Sequence, residues 1–181
     1  MNVVFVIFHI LGVAIGAGAA FTGDFIFFAS IKDKVISKEE NKLMDAVSTL
    51  VWFGLGLILL SGVGLVWLRP EIFLRSEKFW AKMTVVLVIA INGLIFRFVH
   101  RKTFAESIGV RFEKADKLMK NKLSIIISGA LSMISWVYTI ILGVLSRTPF
   151  SYAEFIFFYM GILVIAFFGA VLLKDRILSA N

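Results

Sequence analysis

Five long runs of apolar residues dominate the chain, at residues 3–23, 46–68, 80–99, 123–145 and 152–173. Each run has about the twenty residues that an α-helix needs to cross a hydrocarbon core of about 30 Å. With their polar flanking turns included, the predicted helices cover residues 3–31, 38–68, 77–102, 117–146 and 151–175. The pattern therefore predicts an all-α integral membrane bundle of five transmembrane helices, which forms a single domain over residues 1–181.

Polar residues at the edges of the runs mark where three of these helices begin. Ser37 with Glu40, and Ser151 with Glu154, have the spacing of capping boxes, and Ser76 can cap the third helix. The residues Ala17-Gly18-Ala19 resemble a signal-peptide cleavage site, but no basic region precedes them. We therefore expect the first helix to be retained.

Composition supports a membrane protein and narrows its chemistry. Sixty per cent of the residues are hydrophobic and the chain has no cysteine. The lack of cysteine excludes disulfides, iron–sulfur clusters and covalently attached haem. The net charge of +7 comes from basic residues that flank the apolar runs. Basic residues beside transmembrane helices are typical of the positive-inside bias of membrane proteins, so the charge does not indicate a nucleic-acid-binding protein.

The basic residues also predict the direction of the bundle. In a five-span arrangement, the first and third loops and the tail carry fourteen Lys and Arg residues, against five on the other side. Because positive loops stay in the cytoplasm, this asymmetry predicts an outer N-terminus and a cytoplasmic C-terminus. The expected location is a bacterial cytoplasmic membrane.

His9 is the most unusual polar residue, because it lies inside the uninterrupted apolar run 3–11. An ionisable group at such a position is by default a hypothesis about function. Gly12, Gly16, Ala20 and Gly23 follow it at helical spacing, so His9 is predicted to face a groove with almost no side chains. Such a groove admits either another helix or a flat cofactor, and His9 could instead pin the bundle by donating to a carbonyl on a neighbouring helix.

The second histidine, His100, is predicted at the opposite membrane surface. At about 1.5 Å per residue, His9 and His100 would be roughly 15–20 Å apart along the membrane normal. That separation is too large for both imidazoles to bind one haem iron. We expect His100 to be a solvated residue in a basic cluster with Arg101 and Lys102.

A second group of polar residues is predicted deeper in the bundle. Asp24 and Arg97 lie at similar depths on the first and third helices, and a buried carboxylate needs a partner or a proton. We expect them to form a buried ion pair, with Asn92 nearby as a residue that joins helices. This group could be structural, or it could line a proton or ion pathway.

Short patterns in the first half of the chain resemble a known family. The segments are 9–11, 27–28, 40–44 and 80–83, which read His-Ile-Leu, Phe-Phe, Glu-Asn-Lys-Leu-Met and Trp-Ala-Lys-Met. They resemble the small membrane protoporphyrinogen oxidases that bind haem b, and related four-helix families such as the copper-resistance D type. The chain has Asn92 where that pattern has a further histidine and Asp24 where it has an arginine.

The resemblance implies a role for particular residues. It makes His9 an axial ligand of haem b, and Lys82 a functional base or propionate partner. Met83 is a candidate thioether contact to the cofactor, and the Gly12/Gly16 face would accommodate the porphyrin.

Three functions follow as hypotheses. The first is a b-type haem redox protein, possibly an oxidoreductase acting on a porphyrin or a quinol. The second is an ion or proton transporter or channel component that uses Asp24 and Arg97, and as a thin five-helix bundle it would need to form a homo-oligomer. The third is a non-catalytic assembly subunit whose small-residue faces bind partner helices in the lipid bilayer.

Overall fold

The computed structural model describes residues 2–33, 35–111, 114–145 and 148–178. Its helices are α1 Val3–Asp33, α2 Lys38–Leu68, α3 Pro70–Leu74, α4 Glu77–Ile95, α5 Arg101–Glu106, α6 Asp116–Val144 and α7 Tyr152–Leu178. Within the described residues, extended pairing is limited to two isolated bridges, Val35 with Arg111 and Ile36 with Ile108. The predicted all-α class is confirmed.

Five helical segments are long and apolar enough to cross a membrane: Val3–Ser30, Lys38–Leu68, Glu77–Glu106, Asp116–Val144 and Tyr152–Leu172. They match the five predicted spans. The third span runs four residues past the predicted end, because α4 continues through a π-helical turn, Phe96–His100, into α5. The predicted end of the fourth span, at residue 146, lies outside the described residues.

The predicted helix starts are formed by hydrogen bonds of the side chains. At α2, the Glu40 amide donates to Ser37 Oγ at 3.0 Å and the Ser37 amide donates to Glu40 Oε2 at 2.8 Å. The Ser151 amide and Glu154 Oε2 make the corresponding bond, 2.8 Å long, before α7. These bonds satisfy amides that have no partner within the helix, which is why the helices begin at these points.

The bundle is built around one helix pair and one central helix. α1 and α2 form the most extensive helix contact, and α6 packs against α1, α4, α5 and α7. Consistent with that position, α6 is the most buried of the five spanning segments. The side chains of the candidate site described below come from α1, α2, α4, α5, α6 and the π-helical turn.

The outside of the bundle is apolar. Large side chains such as Phe25, Trp67 and Ile165 are 74%, 84% and 75% exposed. A water-soluble protein rarely exposes so continuous an apolar surface, whereas a lipid bilayer requires one. The chain is a membrane protein by this criterion, and the direction of its termini stays a prediction.

Candidate functional site

His9 joins the two helices of the main pair. Its Nδ1 lies 3.1 Å from Ser61 Oγ on α2. The Ser61 hydroxyl has one hydrogen, which it directs to the backbone carbonyl of Leu57 at 2.5 Å and less closely to that of Ile58. With that hydrogen directed to a carbonyl, we assign Nδ1–H as the donor to Ser61 Oγ, and this tautomer leaves a lone pair on Nε2. His9 thus links α1 to α2, as one of the sequence interpretations expected, but through a serine hydroxyl rather than the expected carbonyl.

The small-residue face next to His9 is occupied by protein. A Cβ atom added to Gly12 would lie 2.9 Å from the Gly54 carbonyl oxygen on α2. One added to Gly16 would lie 2.6 Å from Cη2 of Trp136 on α6. Of the two occupants that the sequence allowed for this groove, the structure contains the helix.

This packing determines whether a porphyrin can lie against the Gly12/Gly16 face. The Gly54 backbone and the Trp136 ring fill the space that Gly12 and Gly16 leave. The Gly12/Gly16 face therefore does not accommodate a porphyrin in this arrangement, and that expectation is wrong. Haem binding through His9 Nε2 itself stays a prediction.

Two other residues of the haem hypothesis lie on α4. The Lys82 side chain reaches α6, where its Nζ would be 3.7 Å from a Cβ added to Gly143. Met83 is 39% exposed on the surface of the bundle. Met83 therefore does not face the interior of the bundle as a buried cofactor contact would. Their roles as base and cofactor contact stay predictions.

The expected ion pair between Asp24 and Arg97 is not formed. Arg97 is exposed at the π-helical turn, and the buried Asp24 Oδ2 atom has no hydrogen-bond partner. The expectation is wrong because similar depth on two helices does not place two side chains on facing sides. The neighbouring Arg101 instead pairs with Asp45 of α2.

Asn92 joins α4 to α6, as predicted for a buried amide. Its Nδ2 donates to the Ser128 carbonyl at 2.9 Å, and Ser128 Oγ donates to Asn92 Oδ1 at 2.8 Å. Both side chains are buried. Because the two residues satisfy each other, they supply a polar wall without an unpaired group.

Asp24 and Asn92 line the same cavity, which we call the Asp24 cavity. It has a volume of about 250 Å³ and is lined by residues of α1, α2, α4, α5, α6 and the π-helical turn. Its aromatic lining residues are Phe27, Phe28, Trp52, Phe96, Phe104 and Trp136. Its polar lining residues are Asp24, Ser48, Asn92, Ser128 and Ser132. The cavity is therefore an apolar, ring-lined space with one carboxylate.

Three of these lining side chains rest on a glycine of a neighbouring helix. Trp136 lies on Gly16, as described above. Trp52 lies over Gly93, where an added Cβ would be 3.3 Å from its Cζ2. The Asp24 carboxylate lies over Gly129, where an added Cβ would be 3.1 Å from Oδ1. These glycines make room for the two indoles and the carboxylate.

Two polar atoms of the cavity residues have no partner within the described part of the chain. They are Asp24 Oδ2, an acceptor, and Trp136 Nε1, a donor, and both are buried. A buried polar group without a hydrogen bond costs free energy unless water or a ligand supplies one. These two atoms without hydrogen-bond partners make the cavity the strongest candidate binding site among the described residues.

The expectation for His100 is wrong. The side chain is 1% exposed, and neither ring nitrogen has a hydrogen-bond partner. It lies in the π-helical turn against the ring of Phe96, which lines the cavity. The neighbouring basic residues suggested a solvated site, but the extra backbone residue of a π-helical turn rotates the side chains that follow it.

Sequence reasoning missed Trp136, Trp52 and Ser128 as members of one site. Trp136 in particular fits an interfacial aromatic belt equally well by sequence alone. One local signal was present: Asn92-Gly93 and Ser128-Gly129 each place a glycine directly after a polar residue in the middle of a span. Such a pair permits close helix approach and a hydrogen bond at the same depth.

No group of three or more His, Cys, Asp or Glu side chains that could hold a metal ion occurs among the described residues. Comparison with known proteins adds no further candidate ligand or activity. No protein-family model, curated protein or solved structure matches the chain.

Proposed function

We propose that the protein conducts protons across the membrane and that the Asp24 carboxylate binds the proton in transit. The observation that carries this proposal is the buried, unpartnered Oδ2 atom of Asp24 in a cavity inside the bundle. Ionisable groups within transmembrane helices are rare, and they mark ion pathways and proton relays. The transporter hypothesis is kept here without Arg97.

The electrostatics of the carboxylate support this role. No basic side chain of the described residues forms an ion pair with Asp24. An isolated carboxylate in an apolar interior is neutralised by a proton or by a mobile cation. Asp24 therefore has the chemistry of a group that gains and loses a proton, rather than that of a structural ion pair.

The size and lining of the cavity also support proton movement. A water molecule needs about 10–15 Å³ of such space, so a cavity of about 250 Å³ has room for several. The hydroxyls of Ser48 and Ser132 provide polar partners along its wall. Water held among these groups can pass a proton to and from Asp24.

The test is proton flux into proteoliposomes. A potassium gradient with valinomycin sets an inside-negative potential, and trapped pyranine reports acidification. We expect flux above that of empty liposomes, a loss of at least about tenfold in Asp24→Asn, and partial flux in Asp24→Glu. Asp116→Asn removes the same charge at the exposed start of α6 and should conduct like the wild type. Absence of wild-type flux, or equal flux in Asp24→Asn, would overturn the proposal.

Haem binding through His9 is the second candidate function. The observation in its favour is that Nδ1 lies 3.1 Å from Ser61 Oγ, whose own hydrogen is directed to a backbone carbonyl. The tautomer that fits this arrangement leaves Nε2 as the nitrogen that could bind iron. Histidine ligands commonly donate their other nitrogen in this way. This candidate carries with it the redox activity that the resemblance implied, and its spectroscopic test is given below.

The proposed setting is a bacterial cytoplasmic membrane with the N-terminus outside. The fourteen-to-five distribution of basic residues supports that direction. We also propose a homo-oligomer, because five helices around one cavity offer a narrow path for a solute. Cross-linking in native membranes would report the number of copies.

A further inference from the structure

We infer that the Asp24 cavity also binds an organic ammonium ion with an aromatic body and a hydrogen-bond acceptor. The inference rests on the proposed role of Asp24 as a cation-binding group and names the class of solute that would compete with the proton. Its basis is the combination of one carboxylate, several aromatic rings and one unpaired indole N–H around a single cavity.

The ligand set of the cavity is unsuited to an inorganic cation. Calcium and magnesium take six or more oxygen ligands, whereas Asp24 supplies the one carboxylate among the cavity residues. The Asn92 and Ser128 side chains are already bonded to each other. An ammonium ion needs far fewer oxygens, because it brings its own N–H donors or an apolar shell.

The aromatic lining suits such an ion. A cation gains attraction from the face of a Trp, Tyr or Phe ring within about 6 Å, most of all when it is desolvated. Trp52 and Trp136 are held in place by their contacts with Gly93 and Gly16. The ring of Phe104 packs on Phe27 at 5.5 Å and on Phe96 at 5.9 Å between centroids. These rings form a rigid apolar wall close to a single negative charge.

The cavity volume sets the size of the solute. A protein cavity of about 150 Å³ holds benzene. A cavity of about 250 Å³ therefore has room for one aromatic ring and a short aminoalkyl chain. That corresponds to roughly ten non-hydrogen atoms on the same scale.

Trp136 Nε1 adds a third requirement, after the ammonium group and the aromatic body. This N–H is buried and unpaired, and an indole nitrogen can only donate. A solute that carries an oxygen acceptor beside its ammonium group could satisfy Trp136 and Asp24 together. The class that meets all three requirements is an aryl amino alcohol or a related aminoketone.

The experiment measures binding by isothermal titration calorimetry on the full chain in lipid nanodiscs, with empty nanodiscs subtracted. The probes are 2-amino-1-phenylethanol, 2-phenylethylamine, which lacks the hydroxyl, and 1-phenylethanol, which lacks the ammonium. We expect the amino alcohol to bind most tightly. Asp24→Asn should weaken both amines by about tenfold or more, since it removes a charge-assisted hydrogen bond, and should leave the neutral alcohol unchanged.

Trp136→Phe tests the second contact. It keeps a ring in the cavity and removes the N–H, so the amino alcohol should lose its advantage over 2-phenylethylamine. Asp116→Asn is the matched control and should bind all three probes like the wild type. If Asp24→Asn does not fold, Asp24→Glu, which keeps the charge but moves it, should still alter the affinity for both amines and spare the alcohol.

Three outcomes would overturn the inference. They are a binding signal no greater than that of empty nanodiscs, equal affinity for the amines and the neutral alcohol, and amine binding that Asp24→Asn leaves unchanged. Proton flux without amine binding overturns this inference and leaves the proposed function standing. Amine binding without proton flux supports the inference as a binding site and overturns conduction.

Discussion

The indole of Trp136 on α6 packs directly on the backbone of Gly16 on α1. A Cβ atom at residue 16 would lie 2.6 Å from Cη2 and 3.1 Å from Cζ2 of the ring. The ring is 2% exposed and belongs to the apolar cluster between α1, α2, α4 and α6. Because Gly16 has no side chain, the Trp136 ring of the central helix can lie directly against α1, where it lines the Asp24 cavity.

Gly16→Ala should destabilise the protein, because the Trp136 ring has little freedom to move away from the added methyl group. We expect a loss of about 1–3 kcal/mol in the free energy of unfolding, the range typical of overpacking. The measurement is an SDS-unfolding curve of the purified protein in mixed micelles. Gly18→Ala is the control on the same helix, since an added Cβ there meets nothing within 4 Å. Equal stability of the two variants would contradict the described contact.

Gly54→Ala should cost more than Gly16→Ala. Its added Cβ would lie 2.5 Å from the Gly16 nitrogen and 2.7 Å from the Gly12 carbonyl oxygen, and backbone atoms cannot rotate away. The α1–α2 pair must separate to admit the methyl group. Gly56→Ala is the control on the same helix. An added Cβ at residue 56 meets nothing within 4 Å, so this variant should be as stable as the wild type. The midpoints of SDS-unfolding curves check this order. Gly54→Ala should have the lowest midpoint and Gly16→Ala the next lowest, whereas Gly18→Ala and Gly56→Ala should unfold like the wild type.

The Asn92–Ser128 bonds should couple α4 to α6 energetically. We expect Asn92→Ala and Ser128→Ala each to reduce the free energy of unfolding, with a coupling of about 0.5–1.7 kcal/mol in a double-mutant cycle, as for other hydrogen bonds between membrane helices. Thr22→Ala is the control, because the Thr22 hydroxyl is exposed and bonds to its own helix at Gly18. Additive single effects would show that the two side chains act independently.

The membrane direction can be tested with single cysteines, because the natural chain has none. Glu71→Cys lies on the exposed α3, and Val110→Cys lies in the loop after α5. With the N-terminus outside, a membrane-impermeant maleimide should label Glu71→Cys in intact cells and Val110→Cys only after permeabilisation. The reverse pattern would invert the predicted orientation.

Haem binding through His9 predicts an absorption spectrum. Protein purified from haem-replete cells should show a Soret band that His9→Ala removes and His100→Phe retains, because His100 is buried away from the His9–Ser61 pair. Ser61→Ala should shift the band or weaken haem retention, since Ser61 accepts the Nδ1–H of the ligand. A colourless wild-type preparation would remove this candidate function.

The sequence by itself determined the class of protein, the five spans and most of their starting points. These features depend on local physics: twenty apolar residues cross a bilayer as a helix, and Ser37 or Ser151 caps the first turn wherever the bundle goes. The polar residues that matter, including His9, Asp24 and Asn92, were also visible as exceptions within apolar runs.

Only the tertiary structure decided which of these residues meet. Similar depth suggested that Asp24 pairs with Arg97, yet Asp24 lies over Gly129 while Arg97 is exposed. The Gly12/Gly16 groove could have held a helix or a cofactor, and α2 with Trp136 fills it. The reason is physical. Depth along a helix follows from counting residues, whereas the rotation of each helix about its axis follows from packing against all its neighbours at once.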